Sequence, residues 1–320
     1  MAVRPSPRLI GRQTGRSLVE IMIALVIGFV VLGALMLNTI GTGDSGRRQD
    51  AAAELETEGR VALNLIATQI RLAGRSPLRV NTSPGAADTN YTGIGLRGCD
   101  NGFQDYHFGA APQISDLVCQ AAGPGSHGAA FSVVYEADTS TSGAVPALDC
   151  RGSNKHLQQI PSVTDPSVTV PIVENRFHIG APTTGVTRTG LYCAGSGALQ
   201  NDEMIPNVES MTLEYGISAG KVGVGTTATP VAVMSNQVVR YLDQTDLDAY
   251  MAKYVGKPVN LQDEWSRVVS VRVCVLMASD PGVVTSGTNQ YIDCHGALQT
   301  STDTRLRRAV TATITRGPIG

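Results

Sequence analysis

GRSLVEIMIALVIGFVVLGALML, residues 15–37, decides how the rest of the chain reads. Residues 18–37 carry a single charge, Glu20. At 1.5 Å rise per residue, a helix of that length spans a bilayer core of about 30 Å. A carboxylate just inside such a helix costs about 2.5–3.5 kcal/mol at mid-bilayer, and intramembrane charges of this kind have a partner. The stretch therefore reads as a membrane-crossing helix whose Glu20 is waiting for one.

Upstream, residues 1–15 carry Arg4, Arg8 and Arg12 and no acid, so the rest of the chain is more acidic than the net charge of −2. Nucleic acid is thereby disfavoured as a partner. Basic residues before the apolar run and a mildly acidic body after it put the N-terminus in the cytoplasm and the bulk outside it. All six cysteines, Cys99, Cys119, Cys150, Cys193, Cys274 and Cys294, fall in that exported part, and none forms a C-x-x-C pair. An even count in an exported chain points to disulfides, for which six cysteines allow fifteen connectivities. The expectation adopted is that neighbours in sequence pair: Cys99–Cys119, Cys150–Cys193 and Cys274–Cys294.

Downstream, Gly41, Gly43 and Gly46 are expected to interrupt or weaken the helix, at about 1 kcal/mol each relative to Ala. Residues 51–73 resume a helical pattern, with Leu55, Ala62, Ile66, Ile70 and Ala73 on one face, and Gly74 and Pro77 end it. Residues 76–128 read as loop with brief strands at most, 138–165 as a long loop, and 218–230 as a surface loop. Strands are expected at 129–137, 168–173, 189–193, 210–217, 266–279 and 306–316, joined antiparallel. Val269, Val271, Val273 and Val275 alternate on the face expected to pack on the helix. Thr311, Thr313 and Thr315 form a solvent-facing ladder on the last strand. A short helix capped by Thr245 covers 245–255.

Gly15, then Arg16, Ser17, Leu18, Val19 and Glu20, then an apolar helix, resembles the class III signal of type IV prepilins. That resemblance implies cleavage by a prepilin peptidase between Gly15 and Arg16, N-methylation of Arg16, and pairing of Glu20 with a neighbouring subunit's terminal amine. Arg16 departs from the usual Phe or Met. LEYG at 213–216, Trp265 through Val273, the arginines of 305–308, 63–75 and GLYCAG at 190–195 are together similar to PilW-type minor pilins. The resemblance implies an α+β, pilin-like fold: a cleaved leader (1–15), a transmembrane assembly helix (16–40), its amphipathic continuation (41–75), and a β-rich domain (76–320) with an antiparallel sheet and disulfide-restrained loops. It further implies a minor pilin of a tip or priming complex serving adhesion and twitching motility. Its partners would be other minor and major pilins, the prepilin peptidase, the inner-membrane assembly platform and a tip adhesin. The protein would sit in the inner membrane before assembly and in the extracellular pilus after it. A type II secretion minor pseudopilin and a single-span anchored adhesin are the alternatives.

Catalytic patterns are missing from the text. His107, His127, His156, His178 and His295 are scattered, with no H-E-x-x-H, and read as solvated loop residues. GPGSHG at 123–128 is not a nucleophile elbow. Asp243, Asp246 and Asp248 lack the Gly and distal Glu of an EF-hand and read as helix-start acids. No enzyme activity, metal or cofactor is expected, and Trp265 is expected to pack at the start of the valine strand.

Overall fold

In the computed structural model, the described residues are 15, 17–77, 89–109, 112–123, 128–137, 148–181, 188–218, 221–224, 231–234, 237–254, 261–284 and 288–317. They divide into two compact units, Met1–Gln49 and Asp50–Gly320.

The first unit is carried by the start of helix α1 (Leu18–Leu72). Leu, Ile, Val, Met and Ala dominate it and no proline enters, so the ladder of amide bonds is uninterrupted. Of the two outcomes expected at Gly41, Gly43 and Gly46, interruption does not occur, since α1 runs as helix through all three. A glycine lowers helix propensity but keeps its N–H, so it weakens a helix without ending it.

The second unit is built on the rest of α1. Leu55, Ala62, Ile66, Ile70 and Ala73 are buried, joined by Leu63 and Ala67, while Glu54, Arg60 and Arg71 stay in solvent. Leu55, Ile66, Ile70 and Ala73 share one core with Val268, Val271, Val273 and Val275 of β11 (Val268–Ala278), an inner strand of a four-stranded antiparallel sheet; an irregularity between Val268 and Ser270 puts Val268 in that core in place of the expected Val269. The order of this sheet is β10 (Val238–Leu242), β7 (Val208–Ser218), β11, β14 (Arg307–Thr315). The exposed side chains of Thr311, Thr313 and Thr315 form the expected ladder. Trp265 is buried edge-on against Tyr215 at 4.8 Å.

Helix and sheet are in close contact at Gly59, where a Cβ would lie 2.3 Å from Val310 Cγ2 and 3.2 Å from Met277 Cγ. Gly59→Val is accordingly expected to cost about 1–3 kcal/mol by overpacking. Gly46→Ala, where a Cβ meets nothing within 4 Å, should be neutral or mildly stabilising. Urea midpoints of the two variants in detergent check the pair; equal midpoints would remove Gly59 from the packing.

A second sheet runs β1 (Leu96–Cys99), β2 (Ala130–Glu136), β4 (Thr169–Gly180), β5 (Gly190–Gly195), β6 (Gln200–Pro206), with β3 (Gln158–Pro161) beside the first half of β4. Two readings change here. Strand β4 continues past Val173 through Glu174, Asn175, Arg176 and His178, and β3 lies in text expected to be loop. The expected surface loop at 218–230 instead contains β8 (Lys221–Val224), paired with β9 (Val231–Met234). The remaining elements are helices α2 (Gln244–Tyr254) and α3 (Leu261–Ser266), a 3₁₀ turn at Ile114–Asp116, and the hairpin of β12 (Asn289–Ile292) and β13 (Leu298–Ser301).

The disulfides are Cys99–Cys119, Cys150–Cys193 and Cys274–Cys294, each joining cysteines adjacent in sequence order. The first ties β1 to the segment after the 3₁₀ turn, and the third ties β11 to the turn of the β12–β13 hairpin. Arg316 closes the unit. Buried, it donates to the carbonyls of Ala73 at 3.1 Å and Trp265 at 2.9 Å, joining the end of α1 to α3. Burial pulls its pKa down to about 10.

Candidate assembly surface

Residues Leu18–Met36 form a helix long and apolar enough to cross a membrane, and none of that window is buried. Leu18, Phe29 and Met36 are between two-thirds and three-quarters exposed. So much apolar surface is stable only in lipid or against other apolar helices. At its start, Ser17 O accepts the amides of Glu20 at 3.0 Å and Ile21 at 3.3 Å. The Glu20 carboxylate is exposed, and among the described residues none pairs with it. Gly15 is exposed too, whereas Arg16 and residues 1–14 lie outside the described residues.

On the second unit, an open groove of about 1080 Å³ crosses the outer face of the four-stranded sheet. Its floor includes Thr212, Cys274 and Thr311, with Arg272 paired to Glu214 at 2.6 Å. Asp100 and the 293–296 turn stand at its sides. Asp100 also serves α2 from afar, accepting the amides of Gln244 at 2.9 Å and Thr245 at 3.0 Å. Asp243 accepts the Asp246 amide at 2.7 Å. The cap of α2 is thus carboxylate rather than the Thr245 hydroxyl, which itself donates to Asp100 at 2.9 Å. Asp243 is the helix-start acid the sequence suggested.

Beyond the groove lie buried charges that no motif announced. Arg176 is fully buried, donating to Glu174 Oε1 at 2.7 Å and to Tyr106 O at 3.2 Å, with its guanidinium 3.8 Å over the Phe108 ring. It docks the 103–109 loop onto the second sheet. Burial raises the Glu174 pKa even with that cation beside it and Ser132 donating at 3.1 Å. Glu264, also fully buried, sits where α3 meets Asp248 of α2 and Arg97 of β1. Burial first and the Asp248 carboxyl second push its pKa up to about 8. No local pattern in the sequence announces either site: Arg176 lies beyond the strand expected at 168–173, and Glu264 lies between the helix expected at 245–255 and the strand expected at 266–279.

The histidine reading needs one correction. His178 lies on β4, stacked on Tyr106 at 3.9 Å, and burial lowers its pKa to about 4. His107, His156 and His295 are exposed as expected, and His127 lies outside the described residues. Among the described residues, no three His, Cys, Asp or Glu side chains are grouped to hold a metal.

A family model described as Type IV Pilus-assembly protein W matches residues 176–315. The match ties this chain to type IV pilus assembly. It begins at Arg176, inside β4, and ends on the last residue of β14, so it covers the four-stranded sheet and α2, takes in the groove except the side formed by Asp100, Asn101, Gly128 and Ala129, and leaves α1 out. No curated protein and no solved structure matches the chain. The matched family is one of assembly proteins rather than enzymes, and an apolar N-terminal helix fits a place in the cell envelope.

Proposed function

We propose that the chain is a minor type IV pilin, cut between Gly15 and Arg16, N-methylated on Arg16, and built into a tip or priming complex through its N-terminal helix. The observation that carries this reading is the exposed apolar surface of Leu18–Met36, with one carboxylate that none of the described residues pairs with. In a bundle of like helices, the amine freed at Arg16 of one subunit meets the Glu20 carboxylate of another. The contact relieves a charge that is expensive in low dielectric and sets the axial register of the helices. The other minor and major pilins, the prepilin peptidase, the assembly platform and a tip adhesin are the partners this role requires. The match to a pilus-assembly family favours it over a secretion pseudopilin or a plain anchored adhesin.

Mass spectrometry of the mature N-terminus tests the processing step: it should begin at Arg16 and carry one methyl group. An intact residue 1 or a cut near residues 39–43 would overturn it. Glu20→Gln is expected to leave cleavage and the soluble unit intact while lowering incorporation into sheared pili at least tenfold, read by immunoblot. Wild-type incorporation of that variant would exclude Glu20 from the mechanism.

A further inference from the structure

Strand β14 ends the four-stranded sheet and pairs with β11 without a bulge from Ala278↔Arg307 to Ser270↔Thr315. Beyond its two ends, Arg316 N donates to Val269 O, and Leu306 O accepts from Ser279 N. Hydrogen-bonded and non-bonded pairs alternate in an antiparallel ladder, so the bonds to β11 fall on the even-numbered residues of β14. The backbone amides and carbonyls of Ala309, Thr311, Thr313 and Thr315 therefore point away from the sheet, and no described strand pairs with them.

Open edges are ordinarily blunted by shortness, charge, proline or a bulge. Of the other edge strands in the two larger sheets, β10 carries Arg240 and an irregular register, β6 carries Asp202 and Glu203 and ends in Pro206, β3 ends in Pro161, and β1 has four residues. Residues 309–315 of β14 have none of these devices. Their exposed face is the threonine ladder, and their inner face holds Val310 and Ala312, both only partly covered.

We propose that β14 is a docking edge for an extended segment of a different chain, which adds antiparallel as a fifth strand. The segment that fits has hydroxyl residues opposite Thr311, Thr313 and Thr315, and β-branched residues over Val310 and Ala312. It carries an acidic residue at the end beside Arg308, which is half exposed and makes a surface pair with Glu56 at 3.0 Å. A second copy is the poorer occupant. Antiparallel pairing of β14 with itself would set no acid beside Arg308, because its sequence RRAVTATIT carries none.

The test uses the full-length protein in dodecyl maltoside. The probe is a fluorescein-labelled peptide alternating threonine and valine and ending in two aspartates, followed by anisotropy. In an antiparallel addition with threonine over threonine, the pairing edge of the peptide is the one presented by its threonine amides. N-methylation of those amides should weaken binding at least tenfold, and N-methylation of the valine amides should leave it unchanged. Thr313→Pro removes one outward N–H without touching the ladder to β11, and should weaken binding by the same order. Absence of saturable binding, or binding indifferent to threonine methylation on the wild-type protein, would overturn the proposal. So would a full-length dimer that Thr313→Pro dissolves. The peptide series needs no folded variant, and the N-terminal mass of the mature protein is read separately, so failure here is distinct from failure of the pilin reading.

Discussion

Arg176→Met is expected to destabilise the folded unit by about 3–5 kcal/mol, the usual cost of removing one partner from a buried ion pair. Its guanidinium is the cation beside Glu174 and also holds Tyr106 O, so the variant leaves a nearly covered carboxylate without its cation, beside the Ser132 hydroxyl, and releases one tie of the 103–109 loop. The pair as such need not be stabilising, since the desolvation of both ions opposes their attraction. Arg176→Met combined with Glu174→Leu should therefore recover most of the loss. Urea denaturation of the full-length protein in detergent reads both variants. A single-variant cost below about 1 kcal/mol, or a double variant worse than the single, would show that the pair is not what holds this part of the sheet.

Stability should also fall as pH rises, because of Glu264. Its folded-state pKa is pushed up to about 8 from an ordinary 4.5, so the native state holds the proton more tightly than the unfolded chain does. Below about pH 4.5 the group is protonated in both states and costs nothing. Between there and pH 8 the unfolded chain ionises first, and the native state loses ground until its own carboxyl ionises. The groups facing it are Asp248, whose negative charge adds to the shift, and Arg97, whose positive charge opposes it. Both are partly open to water, which screens the effect, so the loss is put at about 2–4 kcal/mol rather than the full linkage value. Glu264→Gln should flatten this slope and leave the variant more stable than the parent at pH 8.5. Parallel pH profiles for parent and variant would instead place the titration elsewhere.

Legibility in the sequence followed the range of the physics involved. The amphipathic stripe of Leu55, Ile66 and Ile70, the valine face of β11 and the threonine ladder of β14 were visible because each is a local period, 3.6 or 2, that burial on one side imposes. Residues 174–178 broke that pattern. Glu174, Asn175, Arg176 and His178 look like loop text, yet they continue β4, because Ser132, Gln69 and Tyr106 arrive from elsewhere to pair with or cover them. The same holds for the cap of α2, which comes largely from Asp100, far back in the chain. The β8–β9 pair is hard to read because each strand has four residues, too few for the alternation of Val222 with Val224 or Val231 with Val233 to stand out from the glycine-rich text around it.

Along residues 15–37, sequence by itself determined the apolar length, the lone carboxylate and the basic flank, and with them the expectation of an anchor and a processing site. Those properties depend on composition along a single helix and need no fold. Tertiary structure alone decided that Arg176 and Glu264 are buried, that helix touches sheet at Gly59, and that β14 ends its sheet with its amides turned outward. Each of these depends on which distant residues come to lie beside one another, and no local period in the chain encodes that.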